Sequence, residues 1–140
     1  MTDPFDLQRF VDAQAAVYSR VVDELRGGRK QSHWMWFIFP QIAGLGHSAM
    51  AQRFAISSRE EALAYLAHPI LGSRLLECTA LVNAVEDRTI LDILGSPDDL
   101  KFRSSMTLFN AVGSDPEFSA ALAKFFHGKP DRKTLELVSE

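Results

Sequence analysis

Apolar residues recur along this chain at helical intervals. Leu71, Leu75, Cys78, Val82 and Val85 follow one another at steps of four, three, four and three, the spacing of a single buried stripe on an amphipathic helix. Phe102, Met106 and Phe109 make a second stripe, and Phe118, Leu122 and Phe125 a third. Near the N-terminus Leu7, Val11, Tyr18, Val22 and Leu25 form a looser one. Each series comes with start and stop signals. Asp3-Pro4 and Asp115-Pro116 place a capping acid before a proline suited to the first helical turn, and Gly27-Gly28, Gly95, Gly113 and Gly128 stand where helices should end. Ser48 is placed to cap a short helix reading AMAQRF, and Ser58 with Glu61 fits a capping box ahead of EALAYLAH. Pro69 opens the helix of the 71 to 85 stripe, residues 88 to 94 read as a short helix, Ser96-Pro97 opens the next, and a last one starts at Asp131.

No run alternates β-branched and polar residues between hairpin turns, and the one strand candidate is WMWFIF, residues 34 to 39. Neither a repeat nor a low-complexity linker divides the chain. The pattern predicts an all-α fold, a compact bundle of about seven short helices forming one domain over residues 1–140.

Composition narrows the function more than the fold. A formal net charge of −3 gives no overall basic field, which disfavours duplex DNA as a partner. A lone cysteine, Cys78, on an apolar stripe reads as core, and the opening MTDPFDLQRF lacks the form of a secretory leader. The apolar runs fall far short of the ~20 residues of a membrane helix. A cytoplasmic protein is expected.

Charge is nevertheless unevenly spread. Between Glu24 and Glu60 no acidic residue occurs, whereas Arg26, Arg29, Lys30, Arg53 and Arg59 do. Inside this interval, RKQSHWMWFIFPQIAGLG (29 to 46) sets Ser32, His33 and Gln41 among Trp34, Trp36 and two phenylalanines. Polar groups buried beside indoles need partners. An anion site would use them all. Lys30 would supply charge, Ser32 and Gln41 hydrogen bonds, and Trp34 or Trp36 a stacking face, while Gly44 and Gly46 would let backbone N–H groups near Ser48 approach a ligand. The plainer account makes the rings core and the glycines turns. In DDLKFRSSMTLF, Lys101, Ser104 and Ser105 fall on another side of the helix from its phenylalanines and would face the same ligand, and Arg74 either reaches that cavity or pairs with Glu77 or Glu60.

Other chemistries lack their residues. The four histidines show no metal-ligand spacing, so no metal and no cofactor is expected, Asp98-Asp99 serves a helix dipole, and no G-x-S-x-G elbow is present. His33 alone stands where a general acid or base would be useful.

The segments SHWMWFIFPQIAGLGHSAMAQRFAI, EALAYLAHPILGSRLLECT and DDLKFRSSMTLF resemble a bacterial family known as domain of unknown function 1810. The resemblance spans nearly the whole chain and implies a compact all-helical domain. It brings no established reaction with it. Members are often called calpastatin, an extended and largely disordered inhibitor, whereas this chain is 46% hydrophobic with closely spaced capped helices. Its signature falls on His33, Trp34, Trp36, Pro40, Gln41, Gly44, Gly46, Arg74, Lys101, Ser104 and Ser105.

The leading expectation is therefore a pocket between residues 29–48 and the helix 97–112 for an anionic small molecule such as a nucleotide-like one. Whether such a protein is an enzyme the sequence leaves open. A metal-free group transfer or hydrolysis would use His33 as acid or base and Lys101 or Arg74 to stabilise negative charge. The competing expectation is a protein-interaction module whose exposed rings of 34–39 meet a partner chain. Single-stranded RNA stacked on the basic aromatic patch is a third, disfavoured by the overall acidity.

Overall fold

Ten helices connect through short loops in the computed structural model, which describes residues 2–139. In order they are α1 (Gln8–Ala15), α2 (Tyr18–Arg26), α3 (Met35–Ile38), α4 (Ala49–Arg53), α5 (Arg59–Ala67), α6 (Leu71–Asn83), α7 (Ile90–Leu94), α8 (Asp98–Val112), α9 (Pro116–Phe126) and α10 (Arg132–Val138). Seven of these have seven residues or more, and α3, α4 and α7 are single turns. The fold is an all-helical single domain.

Half of the ten helices carry a side-chain cap, whereas Ser96, expected to open the helix of Phe102, caps none of them, since α8 begins at Asp98 after Pro97. Ser48, Ser58, Thr89, Asp115 and Asp131 each accept a hydrogen bond from a backbone N–H in the first turn of the helix that follows. At Ser58 only half of the expected box forms. Glu61 turns its carboxylate to the N–H and hydroxyl of Ser57 and to Arg9 instead.

The N-terminal series differs from a single helix. Asp3 does accept from the N–H groups of Leu7 and Gln8, but Asp6 takes a positive φ of 51°, so α1 begins only at Gln8. Val17, with φ −121°, then breaks the series between α1 and α2. The break lets α1 lie against α3 while α2 lies against α6, which one straight rod would not reach.

WMWFIF is the other departure. It folds as the single turn α3 rather than as a strand, and the sole bridge among the described residues joins Ile42 to Ile56. Six consecutive large side chains on a strand would point alternately outward. A turn of helix leading into the buried Pro40 sends nearly all of them inward.

The core is a run of rings through the bundle. Phe10 meets Tyr65 edge-on at 5.1 Å, Tyr65 lies 5.4 Å from Phe109, and Phe109 lies 5.9 Å from Phe118. A second run takes Trp34 through Phe39 to Phe102, the last pair T-shaped at 4.9 Å. These contacts fix α8 against α3, and so decide what stands opposite the 41 to 46 loop.

Candidate functional site

The segment 29 to 46 is met by an anion from outside it. Glu24, at the end of α2, accepts from the N–H groups of Gln31 and Ser32 at 2.7 and 3.0 Å, from the Ser32 hydroxyl at 2.6 Å, and from the indole N–H of Trp34 at 2.9 Å. Burial alone would raise this carboxyl, but the four donors outweigh it and hold it at about 2. Ser32 and Trp34 are thereby occupied. Trp34, 1% exposed, is core.

Lys30 and Lys101 come from opposite sides to one carboxylate. Lys30 Nζ lies 3.0 Å from Asp98 Oδ2, and Lys101 Nζ lies 3.7 Å from Asp98 Oδ1. Each ammonium also stands over an indole, Lys30 over Trp34 at 5.1 Å and Lys101 over Trp36 at 5.4 Å. The Lys30 pair is close and only 9% and 18% exposed, whereas the Lys101 pair is long and Lys101 more open at 28%.

Beside Lys101 opens a cleft of about 160 Å³. Its walls are Met35, Trp36 and Phe39 from the α3 region, the loop from Gln41 to Gly46, and Ala51, Gln52, Phe54 and Ala55 from α4 and just beyond. Phe39, which touches Phe102, forms the floor with Ile42 and Phe54. The loop sits close to α4. A Cβ on Gly46 would fall 2.6 Å from that of Ala51, so only glycine lets the wall approach. The Gln41 side chain, half-buried, makes no hydrogen bond among the described residues, while the Gln52 amide is spent on the carbonyl of His47.

Five of the residues singled out in the sequence therefore meet in one cleft: Trp36, Gln41, Gly44, Gly46 and Lys101. The others stand elsewhere. Ser48 is the cap of α4. Arg74 donates to buried Gln14 at 3.2 Å and stacks 4.5 Å from the Tyr18 ring, and Tyr18 in turn hydrogen-bonds Glu77. Ser104 bonds back to the Leu100 carbonyl, and Ser105 is wholly buried with an unpartnered hydroxyl. His33 is exposed and outside the cleft walls. Ala51, Gln52 and Ala55 are walls that the sequence did not single out. Apart from the basic Arg53 their stretch carries no chemical signal, and only the loop's approach to α4 brings them in.

Residues 34–39 do not form the exposed aromatic surface that an interaction module would use. Trp34, Met35, Phe37, Ile38 and Phe39 are buried, and Trp36 is half-buried. The turn of α3 and the rings of α8 explain this. Neither a cluster of three potential metal ligands nor a helix long and apolar enough to cross a membrane occurs among the described residues.

Comparison with known proteins agrees with the fold. The chain superposes on the crystal structure of the conserved hypothetical protein Rv1873 from Mycobacterium tuberculosis with a TM-score of 0.97, at 58% identity, over 99% of each chain. No curated protein matches it. The family model described as "Protein of unknown function (DUF1810)" matches residues 4–138. With that match across nearly its whole length, the chain belongs to the DUF1810 family.

Proposed function

We propose that this protein binds a small anionic molecule in the Trp36 cleft. The observation that carries the reading is the Lys101 ammonium at the cleft wall, held over the Trp36 ring with Asp98 only loosely opposed at 3.7 Å. A cation placed between a carboxylate and a cavity is available to a second anion. Gln41 adds an amide with no protein partner among the described residues, and Trp36 adds a ring face.

Size refines the ligand. About 160 Å³ is well below the roughly 300–1,000 Å³ of sites that enclose drug-sized molecules. A carboxylate or phosphate with a few further atoms fits, or one end of a nucleotide, with the remainder lying outside. Lys30 and Lys101 against Asp98 leave one positive charge, which suits a monoanion. Binding rather than turnover is the reading, because His33 lies outside the cleft walls. A cytoplasmic setting, where such metabolites abound, belongs to the same reading.

A thermal-shift screen against small carboxylates, phosphorylated sugars and nucleotides tests it. A ligand at a hundred times its dissociation constant stabilises a fold by about 2.7 kcal/mol, which at this size is several degrees. One chemical class should shift the protein and fail to shift Lys101→Ala. If no class shifts the folded protein, the reading is wrong.

A further inference from the structure

We infer that the molecule carries a second anion site, with walls distinct from those of the Trp36 cleft, in which Arg26, Arg29 and Arg88 hold an oligophosphate. Two adjoining surface cavities lie between the end of α2 and the loop joining α6 to α7. One is lined by Arg26, Gly27, Gly28, Val85 and Arg88 among others, and the second by Arg29, Lys30, Arg88 and Gly95 among others. Arg88 is common to both. The three arginines thus line one continuous pair of cavities, with Arg26 and Arg29 flanking the Gly27-Gly28 turn in sequence and the Arg88 side chain lying against Gly28.

The turn is built for this approach. Gly28 has a φ of +75°, and a Cβ there would sit 3.3 Å from Val85 and 3.4 Å from the Arg88 side chain. Without it, the Arg88 stem lies along the turn. All three arginines are exposed residues, and among the described residues none is in an ion pair. Lys30 is different, being committed to Asp98. The carboxylates that share these walls have other partners, Glu86 facing Lys124 at 3.8 Å and Asp92 closing the capping box of α7.

The chemistry of the ligand follows from what is and is not free. The N–H groups of Gly27, Gly28, Arg29 and Lys30 all donate to backbone carbonyls, so no backbone cradle for a single phosphate exists. Recognition falls to the guanidinium forks, which match phosphate oxygens two at a time. Three forks spread over two adjoining cavities suit several phosphates in a chain rather than one. No aromatic side chain lines either cavity, so a nucleobase finds nothing to stack on.

Titration of the isotope-labelled protein with inorganic tripolyphosphate at constant ionic strength, followed by amide chemical shifts, tests this. Saturable shifts are expected at Gly27, Gly28, Arg29 and Leu91, with an affinity that Lys101→Ala leaves unchanged, and Arg88→Gln should weaken that affinity at least fivefold while its spectrum stays that of the folded protein. Shifts scattered over the surface without saturation would overturn the assignment. So would an Arg88→Gln titration indistinguishable from wild type, or a glutamate peptide of equal charge binding the same residues more tightly.

Discussion

The Trp34 indole donates its N–H to the Glu24 carboxylate over 2.9 Å, and the same carboxylate gathers three more donors from Gln31 and Ser32. The polar groups that suggested a ligand site at 31 to 34 are thus satisfied by the protein's own anion, supplied from α2. The site that remains open lies two residues on, at Trp36.

Removing that anion should loosen the segment. In Glu24→Ala the buried Trp34 N–H loses its acceptor, and an unsatisfied buried donor costs about 1–3 kcal/mol. Chemical denaturation of the variant measures it. The pH dependence has a definite sign. Glu24 is held at about 2, below its ordinary 4.5, so its contribution is complete above about 4.5 and fades as the pH falls towards 2. Glu24→Ala should therefore lose less stability than wild type on acidification across that window.

Asp98 competes with any anion for Lys101. Asp98→Asn should tighten binding in the Trp36 cleft by up to about fivefold, the upper end of the roughly 0.2–1 kcal/mol of a partly exposed ion pair. Calorimetric titration of the two proteins with the ligand class found by the thermal screen gives the comparison. Unchanged affinity would mean that Asp98 and the ligand do not share the ammonium.

Arg74 separates structure from binding. It donates to Gln14, whose amide in turn donates to the Phe37 carbonyl at 2.7 Å and to the Tyr65 hydroxyl at 3.3 Å. Gln14→Ala should cost about 1–3 kcal/mol, since the buried Phe37 carbonyl is left without its donor. Arg74→Ala should lower the melting temperature yet leave anion affinity at Lys101 unchanged.

Cys78 should be inert. Burial pushes its thiol up to about 12, although Tyr18 lies in hydrogen-bond contact with the sulfur. Alkylation by iodoacetamide at pH 8 should be slow in the native protein and rapid in denaturant. The raised value also means that this group's contribution to stability is complete below its ordinary 9 and is lost as the pH rises through 12.

Local signals wrote most of this fold into the sequence. The stripe Leu71, Leu75, Cys78, Val82 is buried on α6, and Ser48, Ser58, Asp115 and Asp131 cap the helices they were read to open. Periodicity carries no record of the turn at Val17 or of the collapse of residues 34–39 inward, because both answer to α6 and α8, far along the chain. The site shows the same division. Lys101 and the aromatic segment could be paired by residue type, but Glu24 takes up the polar donors of residues 31 to 34 from 7 to 10 residues away, and Asp98 pairs with Lys30 across 68 residues of sequence. A stretch without acids is not thereby a stretch without counter-ions.

Trp36 offers the most direct test of the cleft, because the chain has only two tryptophans. In a Trp34→Phe variant the emission comes from Trp36 alone, and the small anion selected by the thermal screen can be titrated against it. A saturable change in emission that disappears when Lys101→Ala is added is the predicted result. Saturation that persists undiminished without Lys101, or an emission that no anion alters, would contradict binding at this cleft.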